Sequence, residues 1–70
     1  MCLREAEEGK EYVIKKITTN DEELDGFLFS LGCYEGQNIT VIAHRKGGST
    51  VSIKDARYSI DIPLAQAILV

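Results

Sequence analysis

The chain has 70 residues with 11 acids against 8 lysines and arginines, a formal net charge of −3, and 44% hydrophobic side chains. So short a chain makes one domain, 1–70, and buries only about 60% of its unfolded surface, which leaves little room for a deep catalytic cleft. The acidic balance argues against nucleic acid, whose phosphates call for clustered cations, and no apolar run approaches the roughly eighteen residues that cross a membrane.

The opening stretch "MCLREAEEGKE" is polar apart from Leu3, with Gly9 as a turn signal, and reads as a leader to the first strand. "YVIKKITT" is rich in β-branched residues and predicts that strand. Ile14 and Ile17 stand three apart, which breaks the alternation and predicts a bulge or a strong twist. "TNDEELDGFLFSLG" carries helix punctuation. Asn20 or Asp21 can cap the first amides, Glu22 and Glu23 suit the positive end of the dipole, and Gly32 suits a left-handed stop. Leu24, Phe27, Leu28 and Leu31 fall on one apolar stripe, while Phe29 lies on the opposite side. Gly26 costs the helix interior roughly 1 kcal/mol relative to alanine, so tertiary packing has to support it.

The second half reads as consecutive strands. "NITVIAHR" places Ile39, Val41 and Ala43 on one face and Thr40, Ile42 and His44 on the other. "KGGS" is a turn whose glycines accept positive φ, "TVSIK" is a strand through Val51 and Ile53, and "DAR" is a second tight turn. "YSIDI" alternates through Tyr58, Ile60 and Ile62, and "PLAQAILV" opens on a proline-led helical turn and ends as an apolar strand. The sum is a mostly β fold. It is a small SH3-like β-barrel with one short α-helix between the first two long strands, plugging one open end.

The residues with reactive side chains are few and scattered. His44 is the only histidine, with no acid set beside it by local spacing, and Cys2 and Cys33 are far apart in the chain. Cys33 suits a buried thiol and Cys2 an exposed one near the terminus. Zinc sites use four ligands at recognisable spacing, which these residues lack, and Glu22, Glu23 and Asp25 read as a solvated helix start. Gly47 and Gly48 are not followed by the Lys-Ser/Thr of a phosphate loop. The chain is therefore expected to be no enzyme and to need no cofactor, with weak transition-metal binding left open. Two cysteines do not make a disulfide framework, and no basic start precedes an apolar run, so a cytoplasmic setting is expected. The surface offers Phe29, Ile42 and the basic pair Arg45 and Lys46 as candidate partner contacts.

One pattern is more specific. Leu28-x-x-Leu31-Gly32-x-x-x-Gly36, then Ile39-x-Val41, Val51-x-Ile53 and the closing "YSIDIPLAQAILV" with Ala65, Ile68 and Val70 run in order over residues 9–70. This resembles the ferrous iron transport protein A (FeoA) family, whose members carry a Leu-Gly-Leu-x-Pro-Gly core and a closing Ala-x-x-Ile-x-Val. Here Cys33 and Glu35 stand in place of the core's second leucine and its proline, Asp55 where glycine is common, and Phe27 and Asp61 at positions often basic. The resemblance implies an SH3-like barrel and a small cytosolic accessory protein of bacterial ferrous iron uptake. The implied partner is FeoB, a membrane transporter with a cytosolic GTP-binding domain, which would recruit the chain to the inner face of the membrane. The same barrel closes iron-dependent repressors, but no helix-turn-helix domain is expected before it here. Two further readings stand beside the accessory role. One is direct iron or zinc binding at a dimer contact through Cys2 or His44. The other is a peptide-binding adaptor using Tyr12, Tyr34 and Tyr58.

Overall fold

The three-residue spacing of Ile14 and Ile17 marks the place where one extended segment is shared between two sheets. In the computed structural model, which describes all 70 residues, that segment divides into β1 (Glu11–Val13) and β2 (Lys16–Ile17). Helix α1 (Glu22–Ser30), β3 (Asn38–Arg45), β4 (Gly48–Ile53), β5 (Ala56–Asp61), α2 (Ile62–Ala67) and β6 (Ile68–Leu69) follow. An antiparallel sheet has the order β1-β3-β4-β5, and β2 pairs with β6 in a second. Neighbouring amides of an extended chain point to opposite sides. The Ile14 N–H accordingly bonds the Gln37 carbonyl at 2.9 Å, on the first sheet, and the Lys15 N–H bonds the Leu69 carbonyl at 2.8 Å, on the second. This corner gives the SH3-like curl, with Ile14 buried at its inside.

Helix α1 starts and stops where its sequence signals stand. Asp21 Oδ1 accepts the Glu23 and Leu24 amides at 2.9 and 3.3 Å. At the other end the Gly32 amide bonds the Phe29 carbonyl and the Cys33 amide bonds the Leu28 carbonyl, with Gly32 at φ +85°. Those two bonds form a Schellman cap, which requires the left-handed residue that glycine supplies without strain. The apolar stripe is a correction. Of Leu24, Phe27, Leu28 and Leu31 only Leu28 is buried, and Leu24 and Phe27 are exposed. The barrel interior is already filled by Leu3, Ile14, Ile39, Val41, Val51 and Ile68, so the mouth admits a single helix side chain.

The leader is a second correction. Leu3 is fully buried and Ala6 nearly so, held by a single 3-10 turn at Leu3–Glu5. Cys2 bridges to Leu69, and the Val70 amide bonds the Met1 carbonyl at 2.9 Å. Cys2 is half-buried by this pairing, against the expectation of an exposed thiol. The hairpin turns also exchange roles. Neither Gly47 nor Gly48 adopts positive φ, whereas Lys54 and Asp55 do, at 50° and 67°. Two positive φ values in a two-residue loop are the type I′ signature, so the second turn is Lys54-Asp55, and Ala56 and Arg57 already belong to β5. Gly48 is needed for space instead, since a Cβ there would overlap the Ile60 carbonyl oxygen.

Candidate functional site

Gly32 turns the chain sharply after α1 and brings Tyr34 back beside Phe29. Their ring centroids are 5.3 Å apart at a tilt of 37°, a favourable offset pairing. The type I′ turn between β4 and β5 sets Lys54 opposite. Its Nζ donates to the Tyr34 hydroxyl at 2.9 Å and lies 5.2 Å from the ring centroid. Gly32 leaves room for this lysine, since a Cβ on it would stand 3.3 Å from the Lys54 Cδ. With Leu31, Ile53, Ala56 and Tyr58 these residues line an open groove of about 390 Å³. Phe29, at the groove's rim, is 68% exposed, while Phe27, 51% exposed, lies on the opposite side of α1 and takes no part in the groove.

Of the three tyrosines expected to line a peptide groove, Tyr34 and Tyr58 meet here and Tyr12 does not. The Tyr12 hydroxyl accepts the Glu7 amide at 3.0 Å, and Lys10 lies over its ring at 5.2 Å. The candidate contacts Phe29 and Arg45-Lys46 are also far apart. Phe29 lies by the β4–β5 turn and Arg45-Lys46 by the β3–β4 turn, at opposite ends of β4. Six strand residues separate the two places by roughly 20 Å. Arg45 and Lys46 are both exposed. The Arg45 carbonyl accepts from Arg4 Nη2 at 2.7 Å, so the N-terminal segment braces the basic tip.

A full-length match settles the family. The FeoA domain model matches residues 1–70. The chain belongs to the FeoA family. Solved structures agree on the fold. A FeoA iron uptake regulatory protein is 23% identical with a TM-score of 0.85, over 97% of this chain and 91% of that one. FeoA of Stenotrophomonas maltophilia in complex with zinc, described as a prokaryotic SH3 domain protein, is 18% identical with a TM-score of 0.84, over 99% and 87%. A manganese-dependent transcriptional repressor is 26% identical with a TM-score of 0.87 over 97% of this chain, which spans only 39% of the repressor. Among curated protein sequences none matches. The motif residues take clear places in this FeoA fold: Leu28 in the core, Leu31 and Gly32 in the helix cap, and Gly36 at φ +88° on the way into β3.

His44 is placed by a feature that sequence alternation missed. Register shifts between Val41 and Ala43, leaving Ile42 as a partly exposed bulge and turning His44 inward against the buried Ser49. The Ala6 carbonyl 2.7 Å from Nε2 can only accept, so Nε2 carries a proton. Nδ1 pairs with the Ser49 hydroxyl at 2.9 Å, which also takes a bond from Arg4 Nη1 at 3.2 Å. Both ring nitrogens are thus engaged. Cys33 is buried, and burial pushes its thiol up to about 11, which disfavours the thiolate that binds metal. No three His, Cys, Asp or Glu side chains converge in one chain.

Proposed function

We propose that this chain is a small accessory protein of bacterial ferrous iron uptake, acting in the cytoplasm as a protein-binding module on the FeoB membrane transporter. The full-length FeoA match carries this reading. It is supported by a relative that is named iron(II) transport protein A, from Clostridium thermocellum, 20% identical with a TM-score of 0.88. No helix is long and apolar enough to cross a membrane, so association with the transporter would be through the surface. Phe29 and the groove beside it, with Arg45 and Lys46 at the far end of β4, are the contacts we assign. A domain of this size offers a patch at the small end of interface areas, so the encounter is weak and reversible. In this reading the chain binds and does not catalyse.

Titrating the whole chain against detergent-solubilised FeoB from the same cell, with and without a GTP analogue, tests the proposal. Saturable binding supports it, and absence of binding in both nucleotide states refutes it. The zinc held by the Stenotrophomonas protein favours a second reading, metal binding at a contact between copies through Cys2 or His44. For His44 to serve, its ring would have to give up the Ala6 or the Ser49 hydrogen bond. Equilibrium dialysis with no stoichiometric metal at micromolar concentration excludes that reading.

A further inference from the structure

We propose that a second copy of this chain pairs along the free edge of β5, antiparallel and two-fold symmetric about Ser59. β5 is the last strand of its sheet, and no strand pairs with its outer side, although α1 residues lie near both of its ends. The turn fixes which groups face that side. Ile53 and Ala56 flank a two-residue loop and exchange both ladder bonds, so by alternation Tyr58 and Ile60 also face β4. The amides and carbonyls of Arg57, Ser59 and Asp61 then point to the open edge, and all three side chains are exposed.

The charges select one register. With Ser59 opposite Ser59 of the second copy, Arg57 of each chain faces Asp61 of the other, and three outward residues per chain pair in hydrogen-bonding phase. Sliding by one step sets Asp61 against Asp55, and sliding further the same way sets Arg57 against Arg57. Sliding the opposite way brings Arg57 against Pro63, which has no amide proton to give. Asp61 uses Oδ1 to cap α2 through the Leu64 amide at 2.9 Å, leaving Oδ2 for the arginine. The opposite edge, β1, has three residues before the corner and offers no comparable length. The pairing is isologous, so it closes at two copies and joins two four-stranded sheets into one.

Sedimentation equilibrium of the chain alone up to ~1 mM, a range suited to a small interface, reads this independently of any transporter. The expected result is a concentration-dependent dimer that Arg57→Glu and Asp61→Lys each abolish. An equimolar mixture of the two variants regains it, because the introduced glutamate then faces the introduced lysine while the retained Asp61 of one variant faces the retained Arg57 of the other. Asp61→Lys also removes a helix cap. Ser59→Pro therefore serves as the independent variant: it removes an outward amide proton at an edge position, where proline is tolerated, and is expected to keep the monomer folded by circular dichroism and to eliminate the dimer. A wild-type chain that stays monomeric to ~1 mM, or a dimer that survives both Ser59→Pro and Arg57→Glu, overturns the proposal. In the first case the charges only guard the edge.

Discussion

Replacing Leu3 with alanine should destabilise the domain severely, although Leu3 lies in a stretch that looks like a polar leader. Its side chain has no exposed surface and packs in the same core as Ile14, Val51 and Ile68. Leucine-to-alanine changes at such sites cost about 3–5 kcal/mol, the lost transfer energy plus the cavity left behind. A domain of this length holds only ~4–10 kcal/mol in all, at about 0.05–0.15 kcal/mol per residue. The backbone tie of Val70 to Met1 and the Arg4 hydrogen bonds remain in the variant, so the loss isolates the buried side chain. Urea unfolding followed by circular dichroism is the assay. With a slope of ~1 kcal/mol per molar for a small domain, the midpoint should fall by roughly 3–5 M. Lys46→Ala, at an exposed position in the β3–β4 turn, is the control and should leave it unchanged. A Leu3→Ala midpoint within about 0.5 M of wild type, a small fraction of the expected shift, would refute the placement of this segment in the core.

Three further outcomes are expected. Gly48→Ala should unfold the chain or shift its thermal midpoint sharply, because the added Cβ meets the Ile60 backbone and no flexible side chain can yield. Asp21→Ala should cost about 1 kcal/mol, read by urea unfolding, since the carboxylate is the acceptor for the first free amides of α1. The third concerns pH. The folded chain keeps the Cys33 proton up to about 11, whereas the ordinary thiol value is near 9.0, so the folded state binds more protons between those values. Stability from this group is fully present below pH 9.0 and declines as pH rises towards 11. Unfolding midpoints across that window should fall more steeply for wild type than for Cys33→Ala.

The barrel is legible in the sequence wherever a local rule acts alone. Asp21 and Gly32 bound α1, Pro63 sits in the first turn of α2, and Ile39 and Val41 face the core, each from the chemistry of its immediate neighbours. What is not legible depends on residues far apart in the chain. Leu3 and Ala6 carry too little apolar signal to announce a core turn, and they are buried because elements far along the chain, α2 foremost, pack on the Leu3–Glu5 turn. The bulge at Ile42 has no sequence mark, yet it decides that His44 faces inward and Ile42 outward. The apolar stripe of α1 gives the right helix and the wrong burial, because a stripe says nothing about how much core remains to receive it. The groove follows the same pattern. Phe29 stands out on a helical wheel, but Tyr34 and Lys54 join it through two left-handed turns, at Gly32 and at Lys54-Asp55. Of those, Gly32 could be read from the sequence and a tight turn could be placed at Asp55, but the left-handed Lys54 could not.

The accessory role on the transporter is tested most directly by binding of the chain to detergent-solubilised FeoB, with wild type and Phe29→Ala measured side by side in both nucleotide states. Phe29 is largely exposed, so its replacement leaves the fold intact, and any change in binding reports the surface. The account predicts saturable binding by wild type and at least about tenfold weaker binding by the variant, a loss of ~1.4 kcal/mol expected of a central aromatic contact. Equal binding by the two proteins would move the contact away from α1, and no binding by wild type in either state would contradict the transporter role itself.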